Sequence, residues 1–281
     1  MAPEWLGGEF DALGWLGIAT GIGLVAEGYL LGYRRLDVSR LEVRLQNLPA
    51  SLDGLRIVQV SDLHLGPIAS RSALRDAFDR VAAEDPDLVV VTGDLVDTPK
   101  ADLDLWIPEL RRLRARHGVI TILGNHDHDV GVDRVAAAVR ATTSWVVLRD
   151  EVHAVEIAGA TLYVAGLEYR PTPHEGEAVA ALAGTLPAQA PVVLLAHHPD
   201  AFPAAIDAGF ALTLAGHTHG GQIAPPFARR WNLARLLMTR YDTGTFHERG
   251  SVLHVNRGLG TSGQRVRIAI PREITVVTLR A

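Results

Sequence analysis

The 281-residue chain has no cysteine. That excludes disulfides and thiolate metal sites, and it says nothing about compartment, because cysteine-free proteins occur on both sides of a membrane. The chain also lacks a positive balance: 27 Lys and Arg stand against 32 Asp and Glu, for a net charge of −5 and an isoelectric point near 6.2. A broad basic face of the kind that holds nucleic acid is therefore not expected; a local basic patch is not excluded. Internal repeats, low-complexity tracts and, beyond Gly54, a convincing interdomain linker are absent as well. What the chain does have is apolar content. At 48% hydrophobic residues, it supports a sizeable core in one large domain or two small ones.

One apolar run stands apart: Leu13–Tyr33, LGWLGIATGIGLVAEGYLLGY, is 21 residues long and carries only the charge of Glu27. Its length matches the hydrocarbon core of a bilayer. Its six glycines would weaken a helix in water but are common in membrane helices. The acids Glu4, Glu9 and Asp11 precede it without any Lys or Arg, so the basic start of a cleaved signal peptide is missing. Arg34, Arg35 and Arg40 follow it, and the positive-inside rule then places the C-terminal body on the cytoplasmic side of the plasma membrane. A buried hairpin or an in-plane anchor are the alternatives. Glu27 favours them, since a carboxylate at mid-membrane costs about 2.5–3.5 kcal/mol or more. The expected division is a hydrophobic membrane anchor over 1–36, a connecting strand and turn over 37–54, and a single folded body over 55–281.

Within the body, short apolar strands alternate with helical stretches. LRIVQV (Leu55–Val60) precedes a helical pattern over Ser70–Asp85; DLVVVT (Asp87–Thr92) precedes one around Asp102–Arg116; GVITIL (Gly118–Leu123) precedes one around Val132–Ala141. SWVVL, VHAVEI, TLYVAG, PVVLLA, FALTLAG, SVLHVNRG and EITVVTL follow as further strands. Continuous apolar strands between helices indicate an α/β fold covered on both faces. So many strands fit two packed sheets with helices outside better than one open sheet.

The polar residues fall at the strand ends. SDLHLG, GDLVD, GNHDHD, HHPD and GHTHGGQ each follow an apolar strand, and in α/β sheets ligands bind beyond the carboxyl ends of strands. Convergence of five such ends would gather Asp62, His64, Asp94, Asn125, His126, His197, His217 and His219. Asp62 and His64 are two apart, so on an extended strand end they point the same way. Asp94 follows a glycine that permits a sharp turn, and its two carboxylate oxygens suit it to bridging two ions. Around His217 and His219 the glycines allow unusual torsions, so that each imidazole can serve a different metal.

These five motifs, in this order, resemble the motif series of the calcineurin-like metallophosphoesterases over roughly Leu55 to the C-terminus. GHTHGGQ, the later NRGLG (Asn256–Gly260) and the leading apolar helix resemble the membrane-associated YkuE-like and YaeI-like phosphodiesterase subgroup. The resemblance implies a four-layer α/β/β/α sandwich. It also implies two metal sites, one of Asp62, His64, Asp94 and His219 and one of Asp94, Asn125, His197 and His217, with Asp94 shared. His126 is implied as the acid beside the phosphate, with Asp127 either orienting its ring or capping the loop. In HHPD the first position, His197, is implied as the ligand rather than His198.

All-nitrogen-and-oxygen ligation suits two divalent transition-metal ions, Mn, Fe, Zn or Co, without choosing among them. Two such ions, two carboxylates and a bridging hydroxide leave a net charge of about +1, matched to a phosphodiester anion. The expected activity is metal-dependent hydrolysis of a phosphodiester or pyrophosphate bond, by attack of the bridging hydroxide with His126 as general acid. Asp97 is a candidate partner for a ligand histidine, with a simple turn role as the alternative. Arg257 is read as a structural ion pair, with contact to the substrate phosphate as the alternative, and His117, His128, His153, His174, His247 and His254 as surface or packing residues. The insert ARRWNLARLLMTRY (Ala228–Tyr241) carries four arginines and no acid among bulky apolar groups. Such a segment suits an anionic membrane surface and makes a lipid-linked phosphoester such as UDP-diacylglucosamine a candidate substrate; a helix packed on the body with solvated arginines is the alternative. A nuclease on the same fold and a non-catalytic membrane-anchored scaffold are the rival functions.

Overall fold

The computed structural model describes residues 12–170 and 175–281; the acidic start of the expected anchor, including Glu4, Glu9 and Asp11, and His174 lie outside the described residues. Helix α1 (Ala12–Leu30) and the turn after it, Ala12–Arg34, form a 23-residue helical segment long and apolar enough to cross a membrane, with 6% of its apolar window buried. Glu27 lies in the last turn of α1 and pairs with Arg35 at 2.5 Å. Gly28 is the buried residue of this helix, and its carbonyl accepts from Arg267 N at 3.2 Å.

The body is built from two six-stranded sheets. The first holds β1 (Leu36–Arg44), β2 (Arg56–Val60), β3 (Leu88–Thr92), β4 (Val119–Ile122) and β5 (Val146–Val147). The second holds β6 (Glu151–Ile157), β7 (Ala160–Gly166), β8 (Val192–Leu195), β9 (Leu212–Ala215), β10 (Gly244–Glu248) and β11 (Ser251–Val255). The last strand, β12 (Arg272–Arg280), returns to the first sheet and lies between β1 and β2. β2, β3, β4 and β5 are parallel neighbours, as are β7, β8, β9 and β11. The strand expected within a connector is thus the edge of the first sheet, paired with β12 from Leu36 to Arg44.

Strand alternation divides the core. Val58, Val60, Val89 and Val91 face outward onto α2 (Arg71–Ala83) and α4 (Asn125–Thr142), where Leu74, Phe78, Val135 and Val139 cover them. Ile57, Leu88, Val90 and Ile120 point the other way and meet Leu162, Val164, Val193 and Leu212 of the second sheet. That sheet's outer face packs on α5 (Glu175–Thr185) and α6 (Phe202–Asp207) through Leu194, Val179, Leu182 and Ala205. The order of layers is helix, sheet, sheet, helix, the α/β/β/α sandwich expected.

Three expectations need correction. The helix around Asp102–Arg116 is a 3-10 turn at Leu103–Leu105 and one α-turn, α3 (Ile107–Leu110). Pro108 sits at the first turn of α3, where its missing N–H and ring prevent a helix from running through it. The helix in the insert shrinks to α7 (Leu233–Leu237), started by Asn232, whose side chain accepts from Arg235 N at 3.0 Å. The helix around Val132–Ala141 begins earlier, at Asn125, with a break at Gly131 (φ 110°, ψ 90°). The edge strand β10 was not foreseen. Its TFHE text has little apolar signal because only one face of an edge strand is covered.

Candidate metal centre

β2, β3 and β4 of one sheet and β8 and β9 of the other end at the same edge of the sandwich. Gln59, fully buried on β2, ties the ends together by donating to Thr92 Oγ1 at 3.0 Å and to the carbonyl of Ala215 at 2.8 Å across the sheets. Beyond these ends the backbone leaves the extended region. Asp62, His64, Asp94, His217 and His219 have φ of 51°, 45°, 52°, 71° and 53°. Left-handed torsions at non-glycine residues cost energy and cluster at functional sites. Convergence of Asp62 and His64 is therefore not the alternation of an extended strand; both turn off it.

Two groups of side chains result, with Asp94 between them. In the first, His64 Nε2 lies 2.9 Å from His219 Nε2, 3.6 Å from Asp94 Oδ2 and 4.0 Å from Asp62 Oδ1, and His219 Nε2 lies 3.5 Å from Asp62 Oδ1. In the second, His197 Nε2 lies 3.3 Å from Asp94 Oδ2 and 3.1 Å from Asn125 Oδ1, and His217 Nδ1 lies 2.9 Å from Asn125 Oδ1. Within these two groups, Asp62, His64 and His219 and, separately, Asp94, His197 and His217 can each place ligand atoms within 4.8 Å of one another. All seven side chains expected as ligands are brought together.

Two of the imidazoles, His64 and His197, are oriented from behind. His64 Nδ1 is 3.1 Å from Asp97 Oδ1, and His197 Nδ1 donates to the carbonyl of Thr92 at 2.8 Å. Both arrangements leave Nε2 facing the cluster, which is how a metal-ligating histidine is held. Asp62 accepts from His217 N at 3.1 Å, and Asp94 Oδ1 accepts from His126 N at 2.9 Å. The glycines set the close approach: a Cβ on Gly124 would lie 2.6 Å from Asp94 N and 2.7 Å from His197 Cε1. Gly93 (φ 94°) combines a left-handed torsion with backbone contact, its would-be Cβ lying 2.9 Å from Gly124 N.

The electrostatics are those of opposed charges packed out of water. Burial works against a charge on His197, yet Asp94 beside it, with Asp62 behind, pushes its pKa to about 9. Burial, then the His197 charge, lowers His217 to about 2. His219 is lowered by burial, His64 and Arg267. Against the pull of burial, the neighbouring His197 lowers the Asp94 carboxyl. Asp62 is raised, by burial first and by Asp94 among its neighbours. Four imidazoles with a ring nitrogen facing the cluster, two carboxylates and one amide oxygen are a donor set that suits divalent transition metals.

His126 is partly exposed, lies edge-on to His64 with ring centroids 4.7 Å apart, and has Nδ1 3.2 Å from the carbonyl of Asp97. It opens with Asp94, His217 and His219 into a cleft of about 240 Å³ whose other wall includes Leu233, Leu237 and Met238. Asp127 does not orient this ring. Its oxygens accept from the amides of Leu95 (3.1 Å), Val96 (3.0 Å) and Gly124 (2.9 Å), so it caps α4 and staples it to the Asp94 loop, and burial lifts its pKa to about 6. Arg257 is a structural ion pair with Glu273 at 2.9 Å.

Two further residues stand against the rings of the cluster: His198, weighed in the sequence only as the alternative to His197, and Arg267, which carried no signal in the sequence. His198 stacks on His217, and the fully buried Arg267 donates to the carbonyls of Arg257 (2.8 Å) and Gly260 (2.7 Å). Arg267 also lies 3.4 Å from His219 Nδ1, behind the ring.

The chain is similar to known proteins over most of its length. The family described as calcineurin-like phosphoesterase matches residues 55–227. The uncharacterized metallophosphoesterase YkuE of Bacillus subtilis is 30% identical over 292 residues, covering 99% of this chain and 97% of that protein. A transmembrane protein with metallophosphoesterase domain from Danio rerio is 31% identical over 263 residues, covering 85% of this chain and 56% of that longer protein. The UDP-2,3-diacylglucosamine pyrophosphatase LpxG of Chlamydia trachomatis is 28% identical over 292 residues, covering 86% and 88%.

Proposed function

The chain belongs to the calcineurin-like phosphoesterase family and is a phosphoester hydrolase, and from that premise we propose that it is a dinuclear enzyme cleaving a phosphodiester or pyrophosphate bond in a lipid-linked substrate. The observation that carries the dinuclear reading is the place of Asp94 Oδ2, 3.6 Å from His64 Nε2 on one side and 3.3 Å from His197 Nε2 on the other. Asp62, His64, Asp94 and His219 would hold one ion, and Asp94, Asn125, His197 and His217 the other. When bound, the pair supplies Lewis acidity toward phosphoryl oxygens and an acidified water as nucleophile. The chain's own residues do the rest. Asp62 and Asp94 offset part of the added charge; His64 and His197 are fixed by Asp97 and Thr92. His126, held at Nδ1 by the Asp97 carbonyl, presents Nε2 to the cleft and protonates the leaving oxygen.

The lipid-linked part rests on the apolar wall of Leu233, Leu237 and Met238 beside the proposed ligands, on exposed Trp231 and Leu236 in the arginine-rich insert and Phe227 just before it, and on the likeness to a protein named for UDP-2,3-diacylglucosamine. The anchor would be residues 1–36, with the body on the cytoplasmic side, as Arg34 and Arg35 at the end of the span favour. The test uses the full chain in detergent, stripped with a chelator and reloaded singly with Mn, Fe, Zn or Co. Hydrolysis of an aryl phosphodiester should vanish on stripping and return with about two ions per chain; one ion at full activity sinks the dinuclear assignment. Hydrolysis of UDP-diacylglucosamine compared with its deacylated form then tests the lipid preference.

A further inference from the structure

A second polar cavity, of about 330 Å³, lies where α1 meets the body, and its lining shares no residue with the catalytic cleft. Tyr29 and Tyr33 from the end of the candidate span form one wall, and Arg34, Arg265 and Arg272 contribute three guanidinium groups. None of these three arginines has a carboxylate within salt-bridge distance among the described residues. Among the described residues Asp76 is the one acid in the lining, so they give the cavity a positive surplus.

Arg272 is the telling residue. It is 3% exposed, and its Nε is buried without a hydrogen-bond partner. Its NH1 and NH2 donate to backbone carbonyls, of Ala73 at 3.0 Å and Arg34 at 3.4 Å, and its guanidinium lies 5.2 Å from the centroid of the Tyr33 ring. Burial lowers its pKa against the opposing pull of Tyr33 and Asp76, the response of a cation withdrawn from water without a paired carboxylate in contact. Arg265 stands 5.5 Å from the centroids of both the Tyr29 and Tyr33 rings, which hold it by cation–π contact. The 13-residue helix α2 begins at the same cavity: Ser70 caps it, and Ser72 and Ala73 line the wall. The positive end of a helix dipole is thus added to the arginines.

We infer that this cavity is a binding site for a phosphate group, placed to take the headgroup of an anionic phospholipid at the foot of α1. Arginine forks match phosphate oxygens bidentately, and tyrosines at the end of an apolar helix mark the depth at which headgroups lie. The site would hold the body at a fixed tilt against the leaflet, and it is independent of what the catalytic centre hydrolyses.

The test uses the full chain in nanodiscs. Binding is read by native mass spectrometry as retained phosphatidylglycerol against phosphatidylcholine, and by the melting temperature in phosphatidylcholine discs with and without inorganic phosphate. The variants are Arg265→Gln and Arg34→Gln, singly and together, because Arg272→Gln removes a buried side chain and risks the fold. Retention of phosphatidylglycerol, reduced about tenfold in the double variant, establishes the lipid headgroup as source. Stabilisation by inorganic phosphate that the double variant abolishes establishes a soluble source for the same chemistry. Hydrolysis of a soluble aryl phosphodiester should be equal in parent and variants, which separates this site from phosphate held at the catalytic centre. Equal lipid retention and equal phosphate response in parent and double variant would overturn the inference.

Discussion

The ring of His198 lies flat against the ring of His217, with centroids 3.6 Å apart and planes 26° apart. Burial, then the charge of His197, lowers its pKa to about 4, so near pH 7 a neutral ring supports the ring of a proposed ligand. His198→Ala should leave the ligand set intact but free His217. Stacking of this kind is worth about 0.5–1.5 kcal/mol, so a three- to tenfold loss of affinity is expected for the second of two ions, read by metal titration. Complete loss of both ions would instead make His198 a ligand.

His126→Ala should separate chemistry from metal binding. A positioned general acid contributes about 10²–10⁴-fold, and kcat should fall by that order while metal content stays at two per chain. Aryl esters with more acidic leaving groups, which need less protonation, should lose less. A variant that loses metal along with activity would rule out the acid role.

Gly124→Ala tests the packing behind Asp94. The added methyl would meet Asp94 N and His197 Cε1 at 2.6 and 2.7 Å, and neither backbone nor buried ring can retreat cheaply. Overpacking of this kind costs about 1–3 kcal/mol. A lower melting temperature and displaced ligands are expected, with metal content below one per chain. Unchanged metal content would show that the loop is softer than its contacts imply.

Glu175, buried at the start of α5, has its pKa raised from 4.5 to about 7 by burial and by Asp200. The folded chain therefore holds this proton more tightly than the unfolded chain. Its stabilising effect is fully present below pH 4.5 and is lost as pH rises through about 7. Glu175→Gln keeps the shape without the charge. At pH 8 it should be more stable than the parent by on the order of 1 kcal/mol, with no advantage at pH 4.5. Thermal unfolding at the two pH values checks this, and an equal gain at both would point to packing rather than ionisation.

Strand ends and their order were legible without coordinates. Short runs such as LVVVT and VVLLA have one stable use, as strands buried on both faces, and chemistry-bearing residues directly after them fall at the sheet's carboxyl edge. That made Asp62, His64, Asp94, Asn125, His197, His217 and His219 a group before any distance was known. Local chemistry was read less well where neighbours in space compete with neighbours in the chain. Pro108 broke the expected helix, and Asp127, one residue from His126, turned to three backbone amides while Asp97, 29 residues away, took the His126 ring through its carbonyl.

Sequence alone determined which side chains gather at the carboxyl edge of the sheets, because a strand's apolar pattern dictates where it stops and so which residue comes next. Only the tertiary structure decided how they are aimed. The stack of His198 on His217, the guanidinium of Arg267 behind His219 and the meeting of α1 with Arg265 and Arg272 join segments far apart in the chain. Contacts of that kind depend on how two sheets and a helix are laid against one another, and no local pattern of residues encodes them.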